Sequence, residues 1–329
     1  MKNKIYRAIF AAAAVLTLLT LLCSCEKEIR FVGDYEGEKM VLYACANPES
    51  PLYVMVYKSK FILDPSDRSV FSLWSGAKVT GETGGKTIVF TEDGDRPGIY
   101  RSDYVPAPGE TIVLRASMNG VPDVSASATV PQKADYEIVS WSEEPCGEDE
   151  WYQHKLNVRV RLNDPAGEHN MYRFNAYCSF GSPGWYQQTA FTYDIHFRDA
   201  GETFSLIEEV FEGDTAVSIR DAVLEDSAFD GEALTFDLWF YIYDDGRYYW
   251  DYGDGEEEPE PWEFDPHDLA IGIDCLSEDL YLYTKTLASY NGSGLLEYFG
   301  EPVAIHNNIS GGIGCFGAIS PNIRRFDEE

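Results

Sequence analysis

Between residues 39 and 131 the chain is cut into short apolar runs by turns rich in Gly and Pro, and this rhythm limits the fold more than any other feature. The runs are KMVLYACA (39–46), LYVMVYKSK (52–60), AKVTGE (77–82), KTIVFTE (86–92), GIYRSDY (98–104), TIVLRASM (111–118) and DVSASATVP (123–131). The turns between them include GETGG, EDGDRPG, PAPGE and NGVPD. Strands at such spacing predict a β-sandwich of immunoglobulin-like type. A Cys-Trp-Cys core is missing, so a true immunoglobulin is not expected. Alternation in TIVLRAS places Ile112, Leu114 and Ala116 on one face.

VPQKADYEIVSW (130–141) reads as a junction, after which the strands lengthen. These are HKLNVRVRLND (154–164), NMYRFNAYCSF (170–180), QTAFTYDIHF (188–197) and LTFDLWFYIYD (234–244). Leu156, Val158, Val160 and Leu162 should face a core, with Asn157, Arg159 and Arg161 on the other side. One helix interrupts the pattern. The strand LAIGIDCL (269–276) runs into Ser277 as N-cap, with Glu278 and Asp279 in the first turn. Leu280, Tyr283, Thr284 and Leu287 follow at helical spacing, and Asn291-Gly292 ends it. The expected architecture is all-β: an N-terminal immunoglobulin-like β-sandwich over 39–133, then a larger antiparallel β-domain over 134–329 with one short helix near the C-terminus.

The N-terminus predicts an address. Lys2, Lys4 and Arg7 precede the apolar run AIFAAAAVLTLLTLL, which is shorter than the ~20 residues a membrane-spanning helix needs. The run ends in Leu22-Cys23-Ser24-Cys25, a lipobox with Cys25 as the residue that takes diacylglycerol and then palmitate. The expectation is a signal peptide over 1–24, a lipidated Cys25 and tether over 25–38, and attachment to the outer membrane, with exposure on the cell surface suggested by Glu26-Lys27-Glu28.

Removing residues 1–24 takes away three bases, which leaves 22 Lys/Arg against 56 Asp/Glu. Such a charge repels phosphate backbones and argues against nucleic-acid partners. The chain has 22 Tyr, whose amphipathic rings suit half-buried strands. Beyond Cys25 the cysteines are Cys45, Cys146, Cys178, Cys275 and Cys315, with no metal-ligand spacing and no assignable disulfide; they read mostly as small buried hydrophobes.

No catalytic constellation stands out. His154, His169, His196, His267 and His306 form neither HExxH nor HxH, and there is no GxSxG, SxxK or Walker loop. His154 and His196 fall inside predicted strands. The acidic stretch RYYWDYGDGEEEPEPWEFDPHD (247–268) offers Asp251, Asp254 and Glu256 as weak calcium candidates, without the spacing of a calcium loop. Trp185-Tyr186 and Tyr248-Tyr249-Trp250 are aromatic clusters able to stack on a ligand or partner. No cofactor, no resident metal and no enzymatic activity are expected.

Near the C-terminus, GGIGCFG contains Gly312-x-Gly314-x-x-Gly317, the spacing of a dinucleotide loop. Only twelve residues follow, too few for the crossover helix and acidic ribose ligand that give this spacing its chemistry. A structural reading is a last strand bearing Ile313, Cys315 and Phe316, with glycines for bulges or close backbone approach.

PVAIHNNISGGIGCFGAIS (302–320) resembles the closing signature of a large lipoprotein family of the Bacteroidota, known as domain of unknown function 4249. The matching residues are Asn308, Ile309, Gly311, Gly312, Gly314, Phe316 and Gly317, and the resemblance extends to the lipobox and to the segments at 39–60 and 98–117. The resemblance implies an outer-membrane lipoprotein often encoded beside a TonB-dependent transporter, and supplies no ligand and no catalytic residue. The expected function is therefore a non-enzymatic accessory or ligand-capture component of TonB-dependent uptake. The alternatives are a surface glycan- or peptide-binding module and an uncharacterised hydrolase.

Overall fold

The computed structural model describes residues 37–60, 72–145, 152–178, 196–198, 223–243, 269–291 and 304–326. The chain is mostly strand, with a single helix among the described residues. The first strands are β1 (Met40–Ala46), β2 (Tyr53–Lys58), β3 (Lys78–Thr83), β4 (Lys86–Val89), β5 (Thr91–Glu92), β6 (Ile99–Arg101), β7 (Thr111–Ser117) and β8 (Val124–Thr129). Then come β9 (Asp135–Pro145), β10 (Tyr152–Asn163), β11 (Met171–Cys178), β12 (His196–Arg198), β13 (Val223–Glu225), β14 (Ala233–Tyr243) and β15 (Leu269–Leu276). The helix α1 (Glu278–Asn291), β16 (Ile313–Ser320) and β17 (Ile323–Arg325) close the order. No described helix is long and apolar enough to cross a membrane.

Period-2 patterning dictates the first core. Val54 and Val56 of β2 and Ile112, Leu114 and Ala116 of β7 point inward from two facing sheets and are buried. One sheet is β4-β3-β7-β8; the other contains β1, β2, β6 and β5. Gly84 and Gly85, at φ +51° and +77°, form the two-residue turn joining β3 to β4, a hairpin that needs positive φ at both positions.

The second core lies between β12-β14-β10-β9 and the strands β13, β11 and β15. Leu156, Val158, Val160 and Leu162 are buried, and Arg159 and Arg161 are exposed. Opposite them β9 bulges: Arg159 faces Ser140 while Val160 faces Ile138, so Val139 is skipped and left outside. Phe174 and Phe236 meet edge to face, their centroids 5.5 Å apart.

β16 joins the two cores. From Val41↔Ile313 to Ala46↔Ala318 it runs parallel to β1; it then pairs antiparallel with β15 at Leu276↔Ile319 and Cys275↔Ser320. β17 continues along β15 from Gly272↔Ile323 to Ala270↔Arg325, so β16 is not the last strand. The result is one nine-stranded sheet running through both sandwiches. Residues 320–322 also hold the junction between them: the Ser320 hydroxyl donates to the Pro131 carbonyl at 2.6 Å, and the Asn322 amide to that of Ala134 at 2.7 Å. The sequence reading left this strand within 134–329, yet Phe316 and Ala318 lie in the first core.

α1 covers the outer face of this continuous sheet. Its most buried residue is Tyr281, packed with Met171, Leu276 and Ile319, rather than Leu280, Tyr283, Thr284 or Leu287. The helix is turned this way because Leu280 sits directly over Gly317, where only the missing side chain leaves room.

Candidate functional site

The family-like signature at 308–317 is assembled from backbone geometry. Asn307 turns the chain by accepting the Ile309 amide on its own Oδ1 at 3.2 Å. Ser310 then pairs with Ser125 of β8 through both backbone groups, at 2.9 and 3.1 Å. Three residues later the chain lies in the opposite sheet beside β1. The segment therefore closes one flank of the first sandwich.

So tight a crossing leaves no room for Cβ atoms. A side chain on Gly311 would strike the Asp123 carbonyl oxygen, and one on Gly314 the Leu42 carbonyl oxygen. At Gly312 a Cβ would stand 2.5 Å from the Met40 oxygen and 2.7 Å from Val124 Cγ1; at Gly317, 2.6 Å from Leu280 Cβ. Gly314 also has φ +124°, which L side chains rarely adopt. The glycine spacing serves the close approach of strand to strand and of helix to strand. Asn308, Gly311, Gly312, Gly314, Phe316 and Gly317 are thus brought together as a structural joint.

Asn308 supplies what the edge of β16 lacks. Its Oδ1 accepts the Phe316 N–H at 2.9 Å and its Nδ2 donates to the Phe316 carbonyl at 2.8 Å, so one side chain replaces a rung of β-ladder. Two residues on, Ser277 repeats the device: its Oγ accepts the Ala318 N–H at 2.9 Å and its N–H donates to the Ala318 carbonyl at 2.8 Å. Ser277 also starts α1, accepting the Leu280 N–H on Oγ at 3.4 Å and the Tyr281 N–H on its carbonyl at 3.0 Å. The sequence identified the cap but not the second duty.

Two polar groupings escaped the sequence reading. His306 Nε2 lies 2.8 Å from Asp279 Oδ1, and its backbone N–H donates to Thr286 Oγ1 at 2.9 Å, which ties the 304–309 segment to α1. On the outer face of β11 and β15, Arg173 and Asn175 each donate to Asp274 Oδ2 at 2.8 Å. Burial pushes the Asp274 carboxyl up, and the Arg173 guanidinium only partly offsets this. The available signal was a charge at Arg173 and at Asp274 within strands that carry no other charge.

Cys45, Cys275 and Cys315 are free thiols. Burial pushes Cys45 up to about 11 and Cys275 and Cys315 up to about 12, so at neutral pH all three are protonated packing groups. Among the described residues, no three His, Cys, Asp or Glu side chains are grouped to hold a metal ion. Cys25, Trp185, Tyr186, Tyr248, Tyr249, Trp250, Asp251, Asp254 and Glu256 lie outside the described residues, as does Cys146.

No curated protein matches the chain. A family model does, over residues 26–325. With the signature residues gathered into one joint and the match spanning both sandwiches, the chain belongs to the family described as domain of unknown function (DUF4249).

Proposed function

We propose that the protein is an outer-membrane lipoprotein of Bacteroidota type, held by acylated Cys25, that acts without catalysis as an accessory to a TonB-dependent transporter. The observation that carries this reading is the lipobox Leu22-Cys23-Ser24-Cys25 followed at once by the family match, which starts at residue 26. Its first matched residue is the one next to the acylated cysteine. The chemistry of the signature supports the same reading. Its glycines and Asn308 serve to join strands, as a non-catalytic scaffold requires.

Two measurements test it. Wild-type protein should incorporate labelled palmitate and sediment with outer membranes, whereas Cys25→Ala should do neither; palmitate uptake by Cys25→Ala would refute the anchor. Affinity purification of the acylated protein from crosslinked outer membranes should co-recover a TonB-dependent transporter. Repeated recovery of the protein alone would refute the partnership and leave the anchor standing.

A further inference from the structure

We infer that the free edge of β9 is a docking edge, and that it takes an extended segment of a partner protein in which apolar and basic residues alternate. The inference concerns the folded sandwiches and does not depend on the anchor at Cys25.

The first support is the edge itself. β9 pairs with β10, and among the described residues no other strand pairs with its far side. Alternate residues of a strand direct their N–H and C=O groups to opposite sides, so the far side presents a row of unpaired backbone groups. The ends of the other sheets are short or closed. β4, β5, β12 and β13 have two to four residues each, and β8 is bridged at Ser125 by Ser310. β9 has eleven, and Glu137, Val139, Ser140, Ser142 and Glu144 are exposed along it.

The second support is the chemistry of the two faces. Ile138 and Trp141 point inward and are half-buried at the rim of the second core, the Trp141 ring 5.4 Å from that of Phe326 between centroids. A strand laid beside them continues the rows Val160–Ile138 and Val158–Trp141, so its inward residues must be apolar. The outward face bears Asp135, Glu137, Ser140, Ser142 and Glu144, and β9 carries no base. The outward guanidiniums of β10 do not cancel this charge: Arg159 donates to both carboxylate oxygens of Asp237 at 2.7 Å, and Arg161 reaches Glu137 only at 3.8 Å. Residues 134–329 carry 10 Lys/Arg against 41 Asp/Glu, which adds a long-range pull on a basic segment. The same features disfavour a second copy as occupant. Two β9 edges laid together would set carboxylates against carboxylates, and the bulge at Val139 breaks the flat edge that self-pairing needs.

The test uses the mature Cys25→Ala chain and an end-blocked heptapeptide of alternating lysine and valine, followed by isothermal titration and amide hydrogen exchange. Binding should protect amides within 135–145, and the same peptide with glutamate for lysine should not bind. N-methylation of all the valines blocks one edge of the peptide strand, and of all the lysines the other. The form blocked on the edge that meets β9 should lose affinity about tenfold or more, while the other form keeps it. Glu137→Lys combined with Glu144→Lys should weaken binding about fivefold or more. Asp95→Lys combined with Asp103→Lys makes the same change of charge at exposed positions of the first sandwich and should leave binding nearly unchanged. Urea midpoints establish that both double variants are folded. Absence of binding, protection outside 135–145, equal affinity of the two N-methylated peptides, or equal effects of the two charge reversals overturns the inference. A dimer of the free chain with protected β9 amides also overturns it, because a second copy would then fill the edge.

Discussion

Replacing Gly314 by Ala adds one methyl group, and the joint predicts that this methyl is among the most damaging in the protein. The residue stands at φ +124°, outside the small left-handed well that other residues reach, and its Cβ would fall on the Leu42 carbonyl oxygen of the neighbouring parallel strand. Two costs combine. Holding an L residue at such a φ costs about 1–3 kcal/mol, and relieving the overlap by moving packed backbone costs about 1–3 kcal/mol more. The sum, about 2–6 kcal/mol, is a large part of the ~5–15 kcal/mol that stabilises an ordinary domain. Gly84→Ala is the matched control: φ is +51° and there is nothing within 4 Å of the added Cβ. It carries only the strain, about 1–2 kcal/mol. Urea unfolding of the Cys25→Ala chain with each substitution should give a midpoint loss for Gly314→Ala at least twice that for Gly84→Ala, with unchanged m-values. Equal losses, or a smaller one at Gly314, would show that β1 and β16 do not approach as described.

Asn308→Ala strips two partners from Phe316 and should cost about 2–3 kcal/mol, read by the same unfolding assay; a neutral result would mean that water caps this edge equally well. The Tyr104 hydroxyl donates to Glu110 Oε2 at 2.6 Å and, with the Ala107 N–H at 2.9 Å, holds that carboxyl below its ordinary value. A lowered carboxyl stabilises the fold above the unfolded-state value, and that contribution is lost as pH falls through the folded-state value. Tyr104→Phe should therefore raise the Glu110 titration seen by NMR, and its stability deficit at neutral pH should shrink as the medium is acidified below 4.5. Cys45, Cys275 and Cys315 should resist iodoacetamide at pH 8 until urea unfolds the chain, as measured by mass spectrometry of their peptides; rapid labelling of any one in the folded state would contradict its burial.

Much of the fold was legible because burial follows a short period. TIVLRAS and LNVRVRL each present one face to a core, and a simple alternation of apolar and polar residues recovers those faces. The start of α1 was legible for a similar reason: Ser277, Glu278 and Asp279 satisfy exposed N–H groups within a few residues of one another. The candidate site was read less completely. Its glycines suggested close approach, but nothing near them in sequence says what is approached. The partner of Gly314 is Leu42, and the pairing is parallel, so no hairpin turn announces it. The Asn308 rung was hidden likewise, since an Asn after an Asn reads locally as a turn. Tyr281 was passed over because helical spacing alone permits several faces, and the choice among them was made by the absence of a side chain at Gly317.

If residues 308–325 hold both sandwiches, the two cores cannot melt apart. A chain of this length with two cores ordinarily unfolds in steps. Differential scanning calorimetry of the mature Cys25→Ala chain should instead show one endotherm, with calorimetric and van't Hoff enthalpies equal. Gly314→Ala, although placed beside the first core, should shift that whole endotherm to lower temperature. Two resolved transitions, with Gly314→Ala moving only one of them, would contradict the joint.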